Sequence, residues 1–337
     1  MFERTTAWTL LPKSSKPDTK DLIKQLMSSK AASTTSRYGK EIKKFFKWCN
    51  SVNIEAVPPF SSALLLAYLS KVLKDSQSYS SLVLSYSALK WLHSLLPDNG
   101  VNPLDSSACH QLLESAKRSK NPIKKKKPLT ADMLKEIIDK HGHPLANLKD
   151  LRIASICALG FAGFLRYDEL SQMLISHLEF LPNHLRILIP KAKNDIYREG
   201  NYVYINKLDN AYCPVTLLSR YIEKANLKLG SNDTLFRQVR FLKKTNSYKL
   251  CGKGLSYTRC LELFKACLKD LGYDEKLYGL HSLRSGGATS AVKNNPNLSD
   301  RVLKLHGRWK SDTAKDMYVL EDVEKRLSLT KNLGLIE

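Results

Sequence analysis

Nothing in the 337 residues is long and apolar enough to cross a bilayer. The greasiest stretch, Ser62–Leu69, falls well short of the ~20 residues a membrane helix needs. The opening residues, MFERTTAWTLLPKSSK, lack the apolar centre of a secretory signal. Cysteine is sparse and scattered. The seven thiols, at Cys49, Cys109, Cys157, Cys213, Cys251, Cys260 and Cys267, include no C-x-x-C pair. An odd, dispersed set excludes a disulfide framework and a structural zinc cluster, and leaves these residues as small core hydrophobes. His141 and His143 have no cysteine or paired acid beside them and read as a polar loop, so no metal is expected. There is no internal repeat. An intracellular protein without membrane contact or cofactor is the expectation.

What the chain has in excess is positive charge. It carries 54 Lys and Arg against 32 Asp and Glu, a net charge of +22. A surplus of that size points to a polyanionic partner. Residues 1–128 hold 21 basic and 9 acidic groups, and the remainder 33 and 23, so both halves are basic. Charge alone leaves DNA, RNA and an anionic membrane surface open.

The pattern along the chain predicts two domains. Residues 1–20 are polar and read as loose. From Asp21 the period turns helical: Tyr38, Ile42, Phe45 and Cys49 form an apolar stripe. Lys40, Lys43, Lys44 and Lys47 repeat at the same spacing on another face, as a solvated surface or a phosphate-facing stripe. Helices are also predicted over about Ser61–Lys74, Ser80–Leu96 and Asp105–Ala116, making a small four-helix, all-α domain over 21–118. Residues 119–128 read as a basic linker. Lys117–Pro128 holds seven basic residues and no acid, including Lys124, Lys125, Lys126 and Lys127. This run can serve as a hinge, a DNA contact or a nuclear import signal.

The second domain, 129–337, opens with Thr130 as a helix cap. One or two buried helices follow over 148–174. His184–Ile189 and Asn201–Ile205 alternate as a β-hairpin around the turn KAKNDIYREG, and helices recur over Pro214–Leu227 and Ser256–Leu271. Short helices follow Gly279, and a helix-prone tail runs from Asp322 to Glu337. The fold class is mainly α with a small β-hairpin or sheet: an all-α N-terminal domain and an α+β C-terminal domain.

Three segments carry chemistry. GFAGFLRYDEL puts Arg166 at the end of an apolar helix, where a charge has no packing role. LHSLRSGGATSA sets His281 and Arg284 three apart, on one face of a helical turn. LHGRWKSDTAKDMYV lets Ser311 cap a helix carrying Tyr318. The bland readings are a surface ion pair of Arg166 with Asp168 or Glu169, a capping His281 and a half-buried Tyr318. Glu169 reads as a partner that orients a neighbouring basic group.

In order and spread, these motifs resemble the tyrosine recombinase (phage integrase) family. The likeness is strong over about 150–320 and weaker over 20–120, where the family has a helical core-binding domain. It rests on G-x-L-R-x-x-E-L, on H-x-x-R and on G-R-W ending at the tyrosine. The resemblance implies that Arg166, Lys193, His281, Arg284, Trp309 and Tyr318 form a catalytic set. Trp309, nine residues before Tyr318, takes a position where His is commoner, and Ser285 follows Arg284 where many members have His. Lys191 competes with Lys193. The wording of the motifs is similar to recombinases of eukaryotic mobile elements, the Crypton and DIRS-type groups, which implies a nuclear site of action.

These residue types suit attack on a phosphodiester. Arg166 and Arg284 can clamp the non-bridging oxygens with forked hydrogen bonds. Trp309 has one N–H to add. A phenol ionises at about pH 10 when free, so cations and a base such as His281 would ease formation of the nucleophile. Lys193 can protonate the leaving 5′-oxygen. The product is a 3′-phosphotyrosyl link that stores the bond energy, with neither ATP nor metal required. The implied assembly is a homotetramer on two duplex sites, each subunit a two-domain clamp with the leucine-bearing tail docking on a neighbour. Two alternatives stay open: a catalytically silent DNA-binding descendant, and a type IB topoisomerase-like enzyme.

Overall fold

The computed structural model describes residues 18–95, 100–119, 125–190, 200–320 and 327. The chain divides into two compact units, Met1–Ile123 and Lys124–Glu337.

The first unit is all-α among the described residues. Its helices are α1 (Thr19–Met27), α2 (Ala32–Ser51), α3 (Ser62–Ser76), α4 (Tyr79–Ser94) and α5 (Ser107–Arg118), with a 3-10 turn at Pro103–Asp105. That is five helices where the sequence predicted four. The first periodic segment breaks at Ser28–Ala31, where α1 ends before a second start. Serine hydroxyls cap α3, α4 and α5: Ser61, Ser78 and Ser106 accept from the N–H groups of Leu64, Ser81 and Cys109.

The α2 stripe packs inward, with Phe45 and Cys49 fully buried. Phe45 meets Phe46, Phe60 and Tyr68 edge-on at 5.0–5.6 Å between ring centres. The lysine stripe of α2 is exposed throughout. Helix α4 is the central element. It buries Leu82, Ser85, Tyr86, Ala88, Leu89, Trp91, Leu92 and His93.

The second unit is built around α7 (Leu148–Ala162), whose residues from Leu151 to Gly160 are all buried. It packs against α6 (Ala131–His141), α9 (Pro214–Lys224), α10 (Tyr257–Asp270) and α11 (His281–Asn294). A five-residue helix, α8 (Tyr167–Ser171), follows α7. Strands β1 (Leu178–Phe180), β2 (His184–Ile189) and β3 (Asn201–Asn206) form an antiparallel sheet in that order. Residues Leu185, Ile187, Ile189, Val203 and Ile205 point into the core.

A second hairpin, β4 (Arg237–Leu242) with β5 (Ser247–Gly254), was not expected. It turns through Asn246 in the left-handed region at φ 44°. The unit ends with α12 (Asp300–Gly307) and α13 (Asp312–Asp316). The predicted tail helix over 322–337 and the hairpin turn at 191–199 lie outside the described residues, apart from Leu327. No helix among the described residues is long and apolar enough to cross a membrane.

Two close approaches fix α11. A Cβ at Gly286 would collide with the carbonyl of Leu129, and one at Gly287 with the carbonyl of Phe161 and the ring of Phe164. The Ser-Gly-Gly run thus lets α11 lie directly on the end of α7 and on the segment entering α6. That entering segment is tied down as well. The N–H of Lys127 donates to the Leu277 carbonyl at 2.8 Å, and that of Leu129 to the Ser282 carbonyl at 2.9 Å. Lys126 reaches the Lys276 carbonyl.

Candidate active site

Arg166, His281, Arg284, Trp309 and Tyr318 come from four segments and meet at one end of α11. Arg284 projects from the first turn of α11 and is completely buried. Its two terminal nitrogens donate to the carbonyls of Phe164 and Gly307. The guanidinium lies 4.7 Å from the centre of the Trp309 ring and 4.8 Å from that of Tyr318. A cation beside two aromatic rings is attracted to each, more so where water is excluded. Burial, helped by Arg166 and Arg308, holds the Arg284 pKa below the usual arginine range.

His281 opens α11, with its ring 6.4 Å from that of Tyr318. Here the shared-face reading needs correction. Three residues along a helix leave two side chains about 60° apart, and packing separates this pair: Arg284 turns into the core while His281 is exposed.

Trp309 is buried among Phe164, Ala288 and Leu303. Its indole nitrogen has no hydrogen-bond partner, and neither has Nε of Arg284. His306 is a neighbour, as its spacing implied. It bonds the Ala162 carbonyl at 2.8 Å and stands edge-on to Phe164. Burial pushes its pKa down, so the ring stays neutral near pH 7.

Tyr318 is not on a helix. Ser311 does cap α13, accepting from Ala314 at 3.2 Å, but that helix ends at Asp316. The tyrosine sits in the following turn, its N–H on the Lys315 carbonyl at 2.8 Å. The Thr289 hydroxyl holds the turn by accepting from Leu320 at 3.0 Å. Tyr318 is partly exposed, with its ring 5.5 Å from Trp309.

Arg166 caps α8. Its backbone N–H and its guanidinium both bond the carboxylate of Glu169, each at 2.9 Å. Glu169 is buried and also receives Arg308 at 2.8 Å. Burial raises a carboxyl pKa, but Arg308, the Arg166 N–H, Arg166 and Arg284 together hold this one below its ordinary value. Glu169 is therefore the orienting partner that the sequence suggested, with two arginines to orient.

Arg308 was missed. In the sequence it looks like a loop cation beside Trp309; only the fold delivers it to a carboxylate 139 positions away. Lys193 and Lys191 lie outside the described residues. Among the surface candidates, Lys125, Lys126 and Lys127 are exposed, as are the four lysines of α2, and Lys124 is not described. The β4–β5 hairpin adds a basic surface that sequence reading passed over. Arg237–Gly254 has six Lys and Arg and no acid, and Arg240 stands directly across from Lys249.

No family model matches the chain. It is similar to an integrase/recombinase XerD homolog of Selenomonas ruminantium, 24% identical over 299 residues, which covers 88% of this chain and 84% of that protein. Among solved structures it resembles the XerH site-specific recombinase bound to a palindromic difH substrate in a post-cleavage complex. That likeness has a TM-score of 0.62 at 19% identity and covers 89% of this chain and 79% of the other. The fold is that of the tyrosine recombinases. A lambda integrase tetramer bound to a Holliday junction shares it at a TM-score of 0.55 and 15% identity, over 89% of this chain and 77% of that one. In this tyrosine recombinase fold the partly exposed phenol is the one nucleophile of the cluster, set against buried cations and a neighbouring imidazole. That arrangement can bind a phosphodiester and attack it.

Proposed function

We propose that this chain is a site-specific DNA recombinase that cleaves and rejoins strands through a 3′-phosphotyrosyl intermediate. The observation that carries the reading is the Tyr318 ring lying on the buried Arg284 guanidinium, with His281 and Trp309 beside it. In the reaction, Arg166 and Arg284 bind the non-bridging oxygens and Trp309 gives its unmatched N–H to the same phosphate. Tyr318 Oη bonds to phosphorus as its proton passes to a base, for which His281 is placed. The bond from phosphorus to the 5′-oxygen breaks, and Lys193 supplies the proton that the oxygen takes up. A second 5′-hydroxyl reverses these steps on a new strand. Since Tyr318 covers Arg284 in this structure, phosphate binding requires its ring to move aside.

The partner is duplex DNA, approached through exposed cations including Lys40, Lys43, Lys44, Lys47, Lys125, Lys126 and Lys127. Exchange between two sites needs four nucleophiles, so the working form is a homotetramer, consistent with the lambda integrase tetramer on its junction. The motif wording assigns the activity to a mobile element, acting in the nucleus of a eukaryotic host. The domains follow the same reading: 21–118 core-binding, 129–337 catalytic.

The test is a suicide-substrate trap. Wild type and Tyr318→Phe are incubated in EDTA with nicked duplexes drawn from the DNA flanking the gene. A covalent adduct on a denaturing gel with wild type alone is the expected result. Tight duplex binding without an adduct on any flanking sequence would favour the DNA-binding descendant, and no DNA binding would sink the reading.

A further inference from the structure

Arg308 has a backbone and a set of partners that nothing in the strand-transfer scheme above uses. It sits at φ 57°, ψ 42°, in the left-handed region that residues other than Gly, Asn and Asp seldom adopt. It is also almost fully buried, which for an arginine demands partners. Its guanidinium takes four oxygens: the carbonyls of Gly163 at 3.3 Å, Phe164 at 3.1 Å and His306 at 2.8 Å, and the Glu169 carboxylate at 2.8 Å.

These contacts reach three members of the candidate site. Glu169 is the carboxylate that holds Arg166. The Phe164 carbonyl that Arg308 shares is also an acceptor for Arg284. The left-handed turn at Arg308 comes directly before Trp309 and directly after Gly307, whose carbonyl is the other acceptor of Arg284. The group of Arg166, Arg284, Arg308 and Glu169, buried apart from a small part of Arg166, has three positive charges and one negative. A net charge of about +2 suits the extra negative charge that builds on a phosphate under attack.

We infer that Arg308 is a positioning residue that sets Arg166, Arg284 and Trp309 as one unit and supplies part of the positive field around the phosphate. The inference rests on the strand-transfer reading. Two parts of Arg308 are separable. A glycine accepts the left-handed backbone but removes the side chain. A lysine keeps the charge but loses the planar fork.

The experiment measures single-turnover cleavage of the nicked duplex by wild type, Arg308→Gly and Arg308→Lys, with duplex affinity and pH dependence for each. Both variants are checked for folding by thermal melt. With Arg308→Gly, cleavage should slow about 100-fold while affinity changes less than about threefold, because the lost interactions act on the reacting phosphate. Glu169 then loses the strongest influence lowering its pKa, and burial drives it up. It takes a proton at a higher pH, and the acid limb of the rate profile shifts to higher pH. Arg308→Lys should slow cleavage less and leave the acid limb near that of wild type.

A purely structural role would lower the melting temperature without moving the acid limb. If Arg308→Gly does not fold, the cleavage rate of Arg308→Lys decides, slowed cleavage at unchanged affinity supporting the inference. Cleavage by folded variants at the wild-type rate, with an unmoved acid limb, would overturn the inference. The wild-type adduct keeps the two ideas apart. Its absence counts against the recombinase reading, whereas normal cleavage by the variants counts against Arg308 alone.

Discussion

Two groups of cations in this molecule could hardly be held more differently. Lys40, Lys43, Lys44 and Lys47 stand on one face of α2 in water, and among the described residues only Lys44 of these has an acidic partner, Glu41 at 2.7 Å. Arg166 and Arg308 are paired with one buried carboxylate, Glu169, and Arg284 and Arg308 also donate to backbone carbonyls in the core. Lysine suits the first setting, being a hydrated point charge on a flexible stem. Arginine suits the second, being a planar fork that stays ionised when buried. Solvated cations bind a polyanion by releasing its counterions; desolvated and oriented ones stabilise charge that appears only during reaction.

The sharpest way to break this contrast is Arg284→Ala. Removing one oriented donor from a closed site should slow adduct formation about 10²–10³-fold in a single-turnover assay, with affinity for the duplex little changed. An equal loss in rate and affinity would place Arg284 among the ordinary binding cations.

Glu169→Gln comes next. It leaves the buried Arg308 and the largely buried Arg166 without their carboxylate and should cost about 3–5 kcal/mol in urea unfolding. The pH dependence has a definite sign. The Glu169 pKa lies below its ordinary 4.5 in the folded protein, so its stabilising contribution is present above that value and fades as pH falls through the lowered one. Stability curves from pH 7 down to 3 should therefore be flatter for the glutamine variant than for wild type.

On the solvated side, changing Lys40, Lys43, Lys44 and Lys47 together to glutamine should reduce the salt slope of duplex binding. Each lost phosphate contact removes ~0.9 from the slope, so four remove at most ~3.6. The cleavage rate at saturating DNA should stay as it was; an unchanged slope would show that this face does not meet DNA. The smallest effect belongs to Lys44→Gln alone. Its exposed pair with Glu41 should alter thermal stability by less than about 1 kcal/mol.

Periodicity found the elements that bury one stripe, such as α2 with Phe45 and Cys49, and the strands β2 and β3, whose inward residues alternate. The caps at Thr130 and Ser311 follow from local chemistry and were equally readable. Hairpin β4–β5 was missed because few of its apolar residues pack on the core, among them Val239, Tyr248 and Leu250, and six cations mask that pattern. For the candidate site, the family resemblance named Arg166, His281, Arg284, Trp309 and Tyr318, which the fold brings together, and the pairing of Glu169 with a neighbouring basic group was legible from its place beside Arg166. Sequence spacing could not show that Arg284 is buried while His281 is not, since that depends on what packs against each side of α11. Nor could it show that α13 stops short of Tyr318, or that Arg308 crosses to Glu169.

The placement of Tyr318 just past α13 has a consequence for how much of the protein must move. A side chain inside a helix can be re-aimed only by its own rotamers or by shifting the whole cylinder. One in a turn can also be swung by a few backbone torsions, here between the bond to Lys315 and the Thr289 anchor at Leu320. The groups that would receive the phosphate are fixed in the core, and the group that would attack it is hinged. Alignment of the reaction is thereby reduced to the setting of about four residues, leaving the packed helices undisturbed.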